Sequence, residues 1–500
     1  MWAKVTSIGL KGMEGYRMNV EVGSYVGSDS FKIVGLPDAA VKEAKERINV
    51  ALRTLGFILS GNKIIINLSP ADQKKMGSLL DLPMAIGVLL SLHEIIIFIP
   101  ENTGFLGSLS LDGAIQPVEG LLPAVLAAKR LGIKKLYIPF DRQLPLLDLA
   151  PMEIIYVSSL QDVIAHLEGQ WEPPSLVQQE EVKICSHDYI DLEQIIGHSV
   201  AKRALEIAAA GEHHVLMTGP PGCGKSLLAG CFPSVLPPLT KEAQLEVLSL
   251  YQLSRTAYPH TNNPPFRNPH HSASGISIVG GGQYPMPGEI SLAHRGVLFL
   301  DEIGEFTKKT LDMLRQPLEN GAITISRTHA TITYPASFIL VAAMNPCPCG
   351  YSGSNTHYCT CTQKQITSYQ NRISGPLRDR FDIKLSLRPV DIHTGMNIKA
   401  SDSSRVVQKR VEEARKRQYD RYGIEITNGR VPVDLLMETS PLNEEQQWNL
   451  QQLSFREDLS NRTQIKIIRL ARTISDLQES PTITDESIAE AMELNLSRTR

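Results

Sequence analysis

HVLMTGPPGCGKS, residues 214–226, decides the fold of this 500-residue chain. His214–Thr218 is a short apolar strand. It runs directly into Gly219-Pro220-Pro221-Gly222-Cys223-Gly224-Lys225-Ser226, which has the full G-x4-G-K-[ST] spacing. Glycines at these positions let backbone N–H groups close around phosphate oxygens. Lys225 reaches the β- and γ-phosphates, and the Ser226 hydroxyl can ligate Mg²⁺. Apolar Leu227–Ala229 opens a helix whose positive end points at the anion. A plain Gly-rich turn would need neither the strand ahead nor the lysine–hydroxyl pair. The stretch predicts an α/β P-loop unit that binds ATP with Mg²⁺.

Two more strands complete the chemistry. Gly296–Leu300 (GVLFL) ends in Asp301 and Glu302, about 75 residues after the phosphate loop. Asp301 is placed to hold the ion through its waters and Glu302 to polarise the attacking water. Phe338–Ala342 leads to Asn345, a polar side chain at the tip of the strand next to the acidic one, which can orient that water. Two arginines remain, Arg380 in GPLRDRFD (375–382) and Arg462 in LSNRT (459–463), where Ser460 has the character of a helix N-cap. Spacing alone reads both as surface arginines.

Outward from this unit the chain divides into four parts. Residues 1–170 alternate apolar strands with helical stretches, as in Phe31–Val34, the amphipathic Asp38–Leu55 and Lys63–Leu68, with Asp38 as N-cap. Residues 171–188 are polar and Pro-bearing, a linker. Residues 189–395 hold the α/β pattern, and 396–500 are helical by period, with polar breaks near Asn428–Gly429 and Glu479–Pro481. The formal net charge is −3, so nucleic acid would have to be met by a local basic surface. Arg405–Arg421 carries seven basic residues against three acidic ones and is read as the wet face of a helix. Met1–Met13 has no charged start followed by an apolar core. The longest apolar stretch, Val88–Pro100, is broken by Ser91, His93 and Glu94 and is too short to span a bilayer. A cytoplasmic protein without a membrane partner is expected.

Of the seven cysteines, Cys347, Cys349, Cys359 and Cys361 fall within fifteen residues. Two pairs joined by a flexible loop can close a tetrahedral thiolate site around Zn²⁺, although C-x-C is less diagnostic than C-x2-C. Reduced, unliganded cysteines are the alternative. Cys223 and Cys231 are read as packing. Between the acidic strand and Asn345, Ala322–Ile325 and Thr331–Tyr334 alternate polar with apolar around Ser326–Ala330, which predicts a hairpin.

These residues together resemble the magnesium-chelatase-like AAA+ ATPases, most closely the ComM (YifB) subfamily. The matching stretches are PFRNPHHSASGISIVGGGQYPMPGEISLAHRGVLFLDEIGEF (265–306), ISRTHATITYPASFILVAAMNPCPCGY (325–351), ISGPLRDRFD (373–382) and RTQIKIIRLARTISDL (462–477). The resemblance implies that Asn345 is the sensor-1 residue, Arg462 the sensor-2 arginine and Arg380 an arginine finger. The finger would serve ATP bound by a neighbouring subunit, hence a homo-oligomeric ring, a hexamer. The family form has Leu at Arg378, so this chain carries two guanidiniums there, and Arg380 keeps the family position in Asp-Arg-Phe-Asp. GIKKLYIP (132–139) and SPADQKKMGSLLDLPMAIG (69–87) are similar to the Lon-protease-like domain of the family. A Lon protease needs a serine nucleophile and a lysine base. Those positions fall on Leu79 and Ala124, with Ser78 one residue off and Lys129 more than a helical turn away. The implied architecture is an α/β multidomain chain. A degenerate Lon-protease-like α+β domain without the dyad precedes an AAA+ P-loop α/β domain and a C-terminal helical lid.

The resemblance also implies a function. The 322–334 hairpin matches the pre-sensor-1 hairpin that enters the pore of related ring helicases, making Arg327 and His329 candidate contacts to DNA phosphates. The insertion Arg267-Asn268-Pro269-His270-His271 is a second pore-facing candidate. The chain is expected to be a DNA-dependent ATPase on single-stranded or branched DNA, a branch-migration helicase of recombination or natural transformation. A chelatase-type motor subunit that remodels a partner protein is the alternative, and an ATP-dependent protease a third.

Overall fold

The computed structural model describes residues 1–73, 75, 77, 79–141, 149–171, 189–258, 261–282, 284–327, 330–353, 357–390 and 402–496. The proposed linker from residue 172 onward, the 395/396 boundary, Ser78, Cys185 and His329 lie outside them.

Apolar residues at every position of a strand demand cover on both faces of its sheet. Val215 and Met217 join one core cluster and Leu216 another. Val297 and Phe299 divide in the same way from Leu298 and Leu300, as do Ile339, Val341 and Ala343 from Leu340, Ala342 and Met344. The result is a five-stranded, all-parallel sheet in the order Phe266–Arg267, Val297–Leu300, Ile339–Met344, Val215–Thr218, Ile383–Ser386. The strand before Asn345 therefore lies between the acidic strand and the phosphate-loop strand. The helix Ser199–Gly211 and the C-terminal helices Ser404–Tyr422 and Asn461–Leu477 cover one face. Ile323, Ile325, Ile332 and Tyr334 of the predicted hairpin help to cover the other. The hairpin arms, Ala322–Arg327 and Ala330–Pro335, run further than the alternation suggested, and Arg327 pairs with Ala330.

Beyond the sheet the described chain is helical, Ser404–Tyr422, Val433–Thr439, Glu444–Glu457, Asn461–Leu477 and Asp485–Leu496. Ser460 does cap the fourth of these, its Oγ accepting from the Thr463 N–H. One reading of this region needs correction. Arg410, Arg415, Arg417 and Arg421 do not form a wet face. They pair with Glu206 and Asp402, Glu212, Glu479 and Asp476, binding the helix to its neighbours. The expected break near Asn428 is present, between Ser404–Tyr422 and Val433–Thr439, and Asn428 is buried there with its side chain bonded to Tyr422, Thr473 and Asp476. A buried amide with three partners locks a turn in place.

The first domain is a seven-stranded mixed sheet in the order Ser30–Val34, Asn62–Ser69, Glu14–Val26, Trp2–Lys11, Thr103–Phe105, Lys135–Pro139, Glu153–Val157. Asp38 caps Ala39–Thr54 by accepting from the Val41 N–H at 2.8 Å, an interaction of about 1 kcal/mol. Leu79 and Ala124 are buried in one apolar cluster with Ile8, Leu106 and Val125. This domain docks on the helix Lys241–Ser254 and on Arg255 just after it. The Leu122 N–H donates to Gln252 Oε1, and Glu119 pairs with Arg255 at 2.7 Å. Met13, in the turn between its first two strands, packs into the cluster beneath the 322–335 hairpin. No helix among the described residues is long and apolar enough to cross a membrane.

Candidate active site

Parallel strands place all their C-terminal ends on one edge of a sheet, and three of the sequence-predicted groups meet there. Gly222 and Gly224 take φ of +77° and +87°, so the loop turns as only glycine does without strain. Lys225 Nζ donates to the Gly219 and Pro220 carbonyls at 2.6 and 2.9 Å and to Asn345 Oδ1 at 3.2 Å. Burial lowers the pKa of this ammonium, and Asp301 and Glu302 act against that shift. Its oxygen acceptors are all uncharged, which leaves the positive charge for a phosphate. Ser226 Oγ donates to Asp301 Oδ2 at 2.8 Å, a hydroxyl and a carboxylate close enough for one Mg²⁺ to touch both. These residues fit ATP with Mg²⁺.

Glu302 has φ 48° and ψ 47°, left-handed values that cost a non-glycine residue energy and that cluster at functional sites. Its backbone N–H donates to Asp301 Oδ1, and the turn carries the carboxylate clear of the strand. His271 Nδ1 lies 3.7 Å from Glu302 Oε2, and the His270 and His271 rings are 4.0 Å apart. The histidine pair thus lies against the carboxylate predicted to activate water. No signal in the sequence placed the pair there, because the strand before it, Phe266–Arg267, is only two residues long. Arg267 is held by Glu289 through two bonds of 2.6 and 2.7 Å, so it is no free pore cation.

Arg380 and Arg462 are brought together, but away from the phosphate loop. Glu319 accepts from Arg380 Nη2 at 2.8 Å and lies 3.5 Å from Arg462 Nη2. They line a groove with His214, Asp382, Lys466 and Arg469. His214 and Asp382 precede the strands Val215–Thr218 and Ile383–Ser386, so this groove sits at the opposite, N-terminal edge of the sheet. Four residues of strand at about 3.3 Å each separate the two edges. Neither guanidinium reaches its own chain's phosphate loop across that span. Arg378 turns elsewhere and donates to the Gln370 carbonyl, so of the two neighbouring arginines Arg380 is the one that lines the groove.

The groove is built on a buried polar lock that motif reading missed. Asp382 Oδ2 accepts from the His214 N–H at 2.9 Å, and Lys466 stands 3.6 Å from its other oxygen. Burial alone would raise the pKa of the Asp382 carboxyl, but His213 and Lys466 bring it well below the usual range. His214 Nδ1 accepts from the Leu340 N–H at 3.0 Å, and burial pushes this imidazole down to about 3.

The four clustered cysteines converge. Their sulfurs all lie within 4.8 Å of one another, with Cys347 3.3 Å from Cys349 and 3.7 Å from Cys359. The Tyr351 N–H is the main influence drawing the Cys349 thiol down to about 6, while burial and the neighbouring sulfurs raise the thiols of Cys359 and Cys361. Gly350 (φ +86°) lies against the Pro221 ring, so this loop touches the phosphate loop.

Family profiles cover most of the chain. Magnesium chelatase, subunit ChlI, matches residues 191–394; subunit ChlI of Mg-chelatase matches 20–142; and the ChlI C-terminal region matches 401–495. The chain is 38% identical over 488 residues to the competence protein ComM of Haemophilus influenzae, covering 96% of this chain and 95% of that one. The chain belongs to the magnesium-chelatase-like AAA+ family, in the ComM/YifB subfamily. YifB of Escherichia coli is also 38% identical, over 485 residues, covering 95% of this chain and 93% of that one. A 128-residue stretch is 34% identical to Lon protease 2 of Bacillus subtilis, 25% of this chain and 22% of that protease. As a member of this AAA+ family the protein is an ATPase using ATP and Mg²⁺, and its cysteine cluster can hold a metal ion.

Proposed function

We propose that this chain is an ATP-hydrolysing ring motor acting on single-stranded or branched DNA, a branch-migration helicase serving recombination or natural transformation. The observation that carries it is the separation of Lys225, Asp301, Glu302 and Asn345 from Arg380 and Arg462 at opposite edges of one sheet. A site split in this way is completed by another copy, each subunit lending its arginines to the neighbour's phosphates, and a hexameric ring closes the series. Bound Mg²⁺ supplies charge neutralisation at the β- and γ-phosphates. The glycine-turned backbone and Lys225 hold the phosphates. Ser226 and Asp301 would hold the ion, Asn345 would orient the attacking water, and Glu302 would polarise it. Arg327, exposed at the end of a hairpin whose other face is buried, supplies a cation for DNA. The competence role named for the similar ComM protein supports the setting. Zinc at Cys347, Cys349, Cys359 and Cys361 fits the sulfur spacing, and a Lon-like first domain without proteolysis fits apolar Leu79 and Ala124.

The family profiles favour one rival, a chelatase-type motor that remodels a partner protein. ATPase rates separate the two. The DNA motor speeds up with single-stranded or forked DNA, whereas the rival responds to porphyrin with partner subunits. A rate indifferent to every DNA form, with no DNA binding at low salt, would sink the helicase reading and leave the ATPase assignment standing.

A further inference from the structure

Arg380 and Arg462 share one carboxylate, and that carboxylate belongs to the helix that carries the hairpin. Glu319 lies in Arg315–Asn320, with Asn320 and Gly321 alone between it and Ala322, the first residue of the hairpin. The hairpin's return arm closes on the same point, the Ala336 N–H donating to the Gly321 carbonyl at 2.7 Å. At the other end of this helix Arg315 donates to Ser374 Oγ at 2.8 Å, just before the segment that presents Arg380. A six-residue helix thus ties the hairpin to both arginines.

We propose that Glu319 is the residue that couples the hairpin to hydrolysis: its carboxylate holds Arg380 and Arg462 back until a pull on the hairpin withdraws it. The inference rests on the proposed shared site. A guanidinium occupied by a carboxylate is neutralised toward a second anion, so the arginines serve the neighbour's γ-phosphate when Glu319 gives way. The contacts suit a switch. The Glu319 side chain is 53% exposed, and ion pairs so exposed are weak and screened by salt, so a phosphate competes with them. The arginine Nη donors, the Glu319 helix and the hairpin base are one continuous set of contacts, so displacement at one end reaches the other. Glu319 acts through Arg380 and Arg462 and is a positioning residue.

The test compares steady-state ATPase of the full-length parent, Glu319→Gln, Arg380→Ala and the Glu319→Gln/Arg380→Ala double variant, without DNA and with forked DNA. Glu319→Gln keeps the volume and removes the charge. Without DNA its kcat should rise about fivefold, the population one weak ion pair can hold back, with KM unchanged. Stimulation by DNA should shrink by the same factor, and the double variant should fall to the Arg380→Ala rate. Glu319→Asp, which keeps the charge, should restore part of the DNA response. A merely structural role would lower kcat or stability in both variants and restore nothing. A Glu319→Gln rate at or below the parent's, with Arg380→Ala still crippled, overturns the coupling role alone. An Arg380→Ala rate equal to the parent's overturns the shared site and this inference with it.

Discussion

In the proposed site Lys225 and Glu302 divide the work. Lys225 is held against neutral oxygens with its charge free for phosphate, and Glu302 is held out on a left-handed turn. Lys225→Ala should therefore abolish nucleotide binding, whereas Glu302→Gln should bind ATP and fail to turn it over. Fluorescent-nucleotide titration and phosphate release measure the two halves, and parental turnover by Glu302→Gln would remove Glu302 from its role. His214 makes a different prediction. It is buried with Nδ1 accepting a backbone bond, and its pKa is about 3 against about 6.5 unfolded. Between these values the unfolded chain binds a proton that the folded chain refuses, so stability falls as pH falls through that window. The slope is about 1.4 kcal/mol per pH unit. The melting temperature should drop more between pH 7 and pH 5 for the parent than for His214→Gln; equal drops would assign the effect to another group.

At the scale of elements, the hairpin and the cysteine loop are the two attachments to the sheet to which the proposed function gives a role. If Arg327 grips DNA, Arg327→Ala should lose ATPase stimulation by DNA. It should also flatten the salt dependence of binding by about one log–log unit for each phosphate no longer held. A parental salt slope would place the DNA elsewhere. The cysteine loop begins two residues after Asn345 and rests on Pro221 through Gly350. If the four cysteines hold zinc, as proposed, Cys349→Ser should lose the metal and lower ATPase together; a parent protein that elutes free of metal and fully active would refute this. Strands and caps were legible because period and capping residues act locally: Asp38, Ser460 and the alternation around residues 322–334 are local signals. The arginine run 405–421 misled because its partners, Glu206, Glu212, Asp476 and Glu479, are distant in sequence. Glu319 was invisible for the same reason: nothing near it in the chain announces two arginines, one 61 and the other 143 positions away.

For the whole molecule, the proposed ring turns on one feature: Arg380 and Arg462 lie in a groove away from the phosphate loop of their own chain. Arg380→Ala should lower ATPase by roughly 10³ or more while leaving nucleotide affinity nearly unchanged, because a finger arginine stabilises charge in the transition state. Mixing Arg380→Ala with Lys225→Ala subunits should restore activity, since one supplies an intact phosphate loop and the other an intact arginine groove. Mixed assemblies that form and stay inactive would argue for a site within each chain.

The turn at Gly12 and Met13 has a consequence for how the first domain can evolve. Gly12 sits at φ +65°, and any side chain there would collide with Ile332 of the hairpin, its Cβ only 2.4 Å from Cγ2. Leu79 and Ala124 lie in an apolar cluster that tolerates exchange among residues of similar size. At this one turn, selection on the ATPase unit reaches into the first domain. A deep mutational scan read out by ATPase activity should find Leu79 and Ala124 tolerant of apolar exchange and Gly12 intolerant of side chains, one domain's turn held in shape by the neighbour it leans on.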